Sequence, residues 1–307
     1  MVYYLPRTAL RALAPAMSLL GLLAPGAGAQ APTPAPLTPA KILADAPPGA
    51  WRKVAPENLL MMTLAGGGRV AIELAPEFAP AHVANIVRLA RAGWFDGTSI
   101  NRAQDNYVVQ WGDATEAKPL PAAIVANPPA EYERPAAGLA FDALPYRDAY
   151  APRIGFVAGQ PAAAEGNIAW LAHCYGMVGV GRSNAPDTGT GAELYAVIGH
   201  GPRHLDRNIA LVGRVIDNMG DLAARRRGTA ALGFYADPAE REAIVSVRLA
   251  ADLPAAERPA YEVLGTDRPA FAAWVKARAN RKDDFFIRPA GAVDLCNALP
   301  PVRKAGG

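Results

Sequence analysis

Arg102 stands shortly before Gln110, with Tyr107 and Val108 between them. A guanidinium is always charged and holds its donors in a rigid fork. A fixed arginine can therefore donate to an atom that gains electron density during a reaction, with no covalent step. Taken alone, Arg102 also reads as a surface arginine in a loop. Other constellations carry less. Asp187-Thr188-Gly189 spells the triplet of carboxylate-dyad proteases, but Asn184-Ala185-Pro186 precedes it instead of an apolar strand, and the sequence has no second copy to complete a dyad. His200 and His204 have metal-ligand spacing for a helix, which Gly201 and Pro202 forbid. They read as polar loop histidines, and His82 and His173 lack partners in the sequence. Gly66-Gly67-Gly68 is followed by a strand pattern rather than by the helix a phosphate cradle needs. These residues call for no metal and no cofactor.

The elements around these residues are short. Leu59 to Leu64, the glycine cluster, and alternating Val70, Ile72 and Leu74 predict a hairpin. Pro80 opens a helix in which Val83, Ile86, Val87 and Ala90 share a face, and Gly93 stops it. Tyr107 to Trp111 reads as a buried strand. So do Gly176 to Val180, Leu194 to Ile198, Ile209 to Val215 and Ala243 to Leu249, separated by Gly, Pro, Asn and Asp. Short strands with polar turns indicate a β sandwich or barrel. Residues 114–167 are rich in Ala and Pro with weak periodicity and read as an irregular insertion. Beyond the last strand, Thr266 or Asp267 caps a helix whose Phe271, Trp274 and Val275 form one face, expected to dock on the barrel.

The chain's first residues read as an address. Arg7 and Arg11 precede an apolar run from Ala12 to Leu23, and Ala27-Gly28-Ala29 fits a cleavage site before Gln30. Residues 1–29 are thus expected to be a signal peptide. The run, about a dozen residues, is shorter than the roughly twenty that span a bilayer. A retained anchor is the alternative. Residues 30–58, rich in Ala, Pro and Thr, read as a tether. With 31 basic and 28 acidic side chains, the charge is too balanced to imply nucleic acid. The one basic run, Arg225-Arg226-Arg227, reads as a solvated helix end. The only two cysteines, Cys174 and Cys296, are expected either to form a disulfide, which an oxidising compartment allows, or to remain separate buried thiols.

Several segments occur together in one order. They are Gly68 to Leu74, Pro80 to Gly97, Ile100-Asn101-Arg102, Val109 to Asp113, Gly176 to Val180, Asn184 to Gly191, and Pro202 to Asn208 leading into Gly213-Arg214-Val215. In that order and spacing the chain resembles a cyclophilin-type peptidyl-prolyl cis-trans isomerase. The resemblance covers roughly 59–113 and 168–222, with a final strand near 243–249. It implies a mainly β fold: a closed antiparallel eight-stranded barrel capped by two helices, spanning residues 59–250 with the insertion 114–167. Residues 251–307 would form a helical extension packed on the barrel. Arg102 falls at the family's catalytic position. Tyr107, Val108, Leu194, Tyr195, Leu205 and Ile209 fall at the positions of a proline socket, Gln110 where a glutamine binds a substrate carbonyl, and Gly181 at the groove edge.

The chemistry of such a groove follows from amide resonance, which sets a rotation barrier of about 18–20 kcal/mol. As resonance is lost, the proline nitrogen gains a lone pair, and a guanidinium donating to it lowers the barrier. The sequence departs from the family at Glu193, Tyr195, His204 and Ile209. Glu193 brings a carboxylate able to pair with Arg102. The implied partners are proline-containing segments of unfolded or exported proteins, in the periplasm or outside the cell. No nucleic acid is expected, and no stable membrane span once the signal is removed. A proline-peptide binding chaperone with little or no isomerase activity is the competing reading.

Overall fold

The computed structural model describes residues 37–306. The expected signal peptide, 1–29, lies outside the described residues. So does the start of the expected tether, but its remainder is built into the fold. Thr38 accepts from the Lys41 amide to cap helix α1 (Pro39–Ala44), whose buried Ile42 anchors it. A strand β1 (Trp51–Lys53) follows. Few apolar residues mark this stretch, so its composition alone reads as unable to order. It is held by distant partners.

The barrel begins with β2 (Leu59–Leu64) and β3 (Arg69–Leu74), joined by a turn in which Gly67 takes a positive φ of 86°. Helix α2 (Pro80–Arg91) buries Val83, Ile86, Leu89 and Ala90. No side chain at its own N-cap satisfies its first amides. Glu131, from the insertion, accepts from Ala81 N at 2.9 Å and His82 N at 3.0 Å instead. Strands β4 (Ser99–Ala103) and β5 (Val108–Gly112) then form the second hairpin.

Residues 114–167 are not irregular throughout. They contain β6 (Arg134–Pro135), β7 (Phe141–Ala143), β8 (Arg153–Val157) and β9 (Gln160–Glu165), which join β10 (Ile168–Leu171) in a five-stranded antiparallel sheet of order β6-β10-β9-β8-β7. Four small residues let this sheet form tightly. Ala162, Ala163 and Ala164 are fully buried, and a Cβ on Gly155 would meet the Asp142 carbonyl at 2.2 Å. Such a strand carries almost no alternation signal, which is why its sequence reads as loop.

The chain returns to the barrel with β11 (Met177–Val180), β12 (Leu194–Val197) and β13 (Leu211–Asp217), then the short helix α3 (Met219–Ala223) and β14 (Glu242–Leu249). The barrel is closed and antiparallel, in the order β11-β12-β5-β4-β14-β2-β3-β13. Its interior holds Leu60, Ile72, Ile100, Val109, Trp111, Val178, Val212 and Val247, and Ile86 of α2 and Leu222 of α3 join this cluster as the capping helices.

The C-terminal extension is a mixture of helix and strand. It comprises β15 (Tyr261–Leu264), helix α4 (Pro269–Ala279) and β16 (Val302–Lys304), and β15 pairs with both β1 and β16. The N-cap of α4 is Arg268, not Thr266 or Asp267; the Thr266 hydroxyl donates to Asp142 at 2.5 Å. The buried face of α4 meets the insertion sheet, with the Phe271 ring edge-on to Phe156 at 5.3 Å. Cys174 and Cys296 form a disulfide, which ties the extension to the short segment between β10 and β11.

Candidate functional site

Antiparallel register sets Arg102 of β4 opposite Gln110 of β5, Gln110 opposite Tyr195 of β12, and Tyr195 opposite Gly179 of β11. Directly paired residues present their side chains on one face of a sheet. These four therefore form a row across four strands. Tyr195 and Val108 belong to the apolar cluster outside the barrel, whereas Leu194 and Ala196 point into its interior, so the row lies on the outer wall.

Arg102 is half-buried and held on three sides. Its Nε donates to the Leu232 carbonyl at 2.6 Å, Nη1 to Gln110 Oε1 at 2.9 Å, and Nη2 to Gln104 Oε1. The rings of Tyr107 and Phe234 lie 5.6 and 5.4 Å from the guanidinium carbon, within cation–π reach. Phe234 also forms a β-bridge with Arg102, so the segment after α3 runs along the β14 side of β4, beyond Ser99 and Ile100 where β14 itself pairs. Burial holds the guanidinium below its ordinary value, and Tyr107 and Glu193 oppose that shift. It stays a cation at any physiological pH.

The expected pairing of Glu193 with Arg102 does not form directly. Gln110 stands between them: its amide oxygen faces Arg102, and its Nε2 donates to Glu193 Oε1 at 2.7 Å. One glutamine flip-state serves both charges. Burial pushes the Glu193 carboxyl up, and the bond from Gln110 works against it. Gly181 is required beside it, because a Cβ there would come within 2.9 Å of the Glu193 side chain.

Tyr195 is fully enclosed and its hydroxyl lies over Gly179, where a Cβ would meet the ring at 2.3 Å. His173 Nε2 is 2.9 Å from that hydroxyl, and its Nδ1 is 3.0 Å from Asp206. Asp206 accepts from Nδ1–H, so Nε2 accepts from the Tyr195 hydroxyl. Burial pushes His173 down, which keeps the ring neutral. The network continues: Arg203 donates to Asp206 at 2.9 Å and grips Asp148 of the insertion through both terminal nitrogens, at 3.0 and 2.9 Å.

The remaining positions expected at the site are distributed as follows. Tyr107 is half-buried and stacks on His204 at 5.9 Å, and His204 Nδ1 donates to the Gly201 carbonyl at 2.7 Å. Ile209 packs against the cluster that contains Val108 and Tyr195, and Leu205 is half-buried at the end of the turn before Asp206. Leu194 is a correction. It is 1% exposed inside the barrel, because strand alternation sends it to the face opposite Tyr195, and it lines no groove.

Asp187 closes its own loop, accepting from Ser183 N at 2.6 Å and Gly189 N at 2.9 Å, and these bonds hold its carboxyl below the usual range. His82 has a partner after all, Glu131 at 2.7 Å. Among the described residues, no three His, Cys, Asp or Glu side chains converge as a metal would require. Sequence reasoning missed His173, Asp206, Arg203 and Asp148, as well as Gln104, Leu232 and Phe234 around Arg102. Only the Arg203 and Asp206 spacing offered a local signal.

The family model of cyclophilin type peptidyl-prolyl cis-trans isomerases matches residues 59–247. Proteins of Brucella suis and Brucella melitensis, each described as a probable peptidyl-prolyl cis-trans isomerase, are 41% identical over 58 residues, 19% of this chain and 29% of theirs. The chain thus spans under a third of the length of these curated relatives. The crystal structure of cyclophilin AquaCyp293 from Hirschia baltica superposes with a TM-score of 0.65 at 23% identity, over 87% of this chain and 97% of that one. That likeness is one of fold.

Proposed function

Because the chain belongs to the cyclophilin type peptidyl-prolyl cis-trans isomerase family, we propose that it rotates X-Pro bonds, with Arg102 donating to the prolyl nitrogen as amide resonance is lost. The observation that carries this reading is the outer-wall row of Arg102, Gln110 and Tyr195. A guanidinium fixed by Gln110 and Gln104 is preorganised, so little reorganisation is needed as the lone pair develops. Tyr107 and Ile209, both half-buried, supply apolar surface for a proline ring beside it, with the buried Val108 and Tyr195 packed beneath them.

The substrates are proline-containing segments of exported proteins, and the place of action is the periplasm or the exterior. The leader-like residues 1–29 support both. A second reading has its own observation. A guanidinium has five N–H groups, and Arg102 already commits one from each nitrogen. One N–H on each terminal nitrogen remains, and Nε is spent on Leu232. That favours a proline-peptide binder of low turnover.

Exchange spectroscopy of a proline peptide decides between them. A rate above background that collapses in Arg102→Ala supports the isomerase. Binding with no added exchange in the wild type supports the chaperone, and full rate in Arg102→Ala removes the arginine from the mechanism.

A further inference from the structure

Helix α4 ends in a loop, residues 280–291, that presents apolar side chains to water. Phe285 is 83% and Ile287 82% exposed. Single exposed apolar residues are ordinary, but a run of three with two almost fully solvated is not. The loop is braced so that they stay outside. Its base is closed by Gly291 N donating to the Ala279 carbonyl at 2.8 Å. Within it, Asp283 accepts from Phe285 N at 3.0 Å, Phe286 N at 2.8 Å and Arg281 Nε at 2.7 Å. Phe286 is covered on one face by the Arg281 guanidinium at 4.2 Å. Phe285 and Ile287 have no such cover.

We propose that this loop is a membrane-docking tip, which seats Phe285 and Ile287 at the headgroup–acyl boundary of an anionic phospholipid bilayer. The first support is charge. Exposed Lys276, Arg278, Arg281, Lys282 and Arg288 flank the tip against two carboxylates, Asp283 and Asp284. Asp283 is consumed by the loop's own hydrogen bonds, one of them from Arg281, which leaves four cations against Asp284. Apolar side chains at the apex with cations behind them reproduce the layering of a lipid interface, where acyl chains lie beneath anionic headgroups. The second support is anchorage: α4, from which the tip extends, is fixed by Phe271 and Trp274 in the apolar cluster that also holds Ile42 of α1.

The test uses the full exported chain with vesicles of phosphatidylcholine alone or mixed with phosphatidylglycerol. Wild type is expected to co-sediment with the mixed vesicles, less in high salt. The pair Phe285→Ser and Ile287→Ser is expected to lower that partition by about tenfold. A Phe285→Trp reporter should shift to the blue on the mixed vesicles and be quenched by brominated lipid. The proposal is overturned if wild type ignores the mixed vesicles, if the serine pair binds as wild type does, or if the reporter emission is unmoved. Self-association lost in the serine pair, without vesicle binding by the wild type, would assign the tip to a second copy of the chain and equally overturn it.

Discussion

The hydroxyl of Tyr195, on β12, lies 2.9 Å from Nε2 of His173, the residue that precedes the disulfide-bonded Cys174. Tyr195→Phe removes the donor and leaves a buried nitrogen unsatisfied. The expected cost is about 1–3 kcal/mol of stability. Urea unfolding of the two proteins measures it, and equal midpoints would show that the bond contributes nothing net.

His173 also sets a pH dependence. Burial depresses its folded proton affinity, so the unfolded chain binds the proton more tightly. The stability it confers is present above the ordinary histidine value of about 6.5 and is lost as pH falls from there through the depressed folded value. A melting series against pH should show a steeper acid loss in wild type than in His173→Gln.

Arg102→Lys keeps the charge and loses the fork that Gln110 and Gln104 hold. Catalytic efficiency on a proline peptide should fall by about 10²–10³, the scale seen when one preorganised donor is removed. A variant within a few-fold of wild type would mean that charge alone suffices.

Glu193→Gln tests the carboxylate behind Gln110. Burial raises this carboxyl, so its contribution is most favourable below the ordinary carboxylate range and is lost as pH rises through the raised value. The amide variant still accepts from Gln110 and carries no charge. At neutral pH it should melt higher, by about 2–4 °C for each kcal/mol recovered, and the gap should close in acid.

Replacing Cys174 and Cys296 by serine removes a link closing 122 positions of sequence. In the chain-entropy account a loop of about a hundred residues contributes about 4.7 kcal/mol. Chemical denaturation of the double variant reads the loss, and intact mass after alkylation with and without reductant confirms the bond itself.

The barrel was legible because its strands alternate strongly, as Val70, Ile72 and Leu74 do, and its site segments keep one order on either side of the insertion. The insertion sheet was not, since buried Ala162 to Ala164 look like loop until Gly155 and Asp142 are seen to need that closeness. Residues 37–58 read as tether because their partners, α4 and β15, lie at the other end of the chain. The Arg102–Gln110 pairing follows from strand register and could be anticipated. The Tyr195–His173–Asp206–Arg203–Asp148 network could not, because its members are scattered over loops and strand ends and meet only after the insertion folds. Leu194 was misplaced for the opposite reason, since period two along one strand separates neighbours that stand together in the sequence.

The pairing of β1 with β15 sets Trp51 against Leu264. A ribosome makes the first of these strands long before the second exists. Through most of synthesis β1 is an open edge with nothing native to join, while β2 and β3, β4 and β5, and β11 and β12 can each pair soon after they appear. The small sheet is therefore the last seam to close, and a chain cut short before β15 would carry a complete set of barrel strands and a loose leading end. Quality control that senses such an end would distinguish finished molecules from truncated ones without inspecting the barrel.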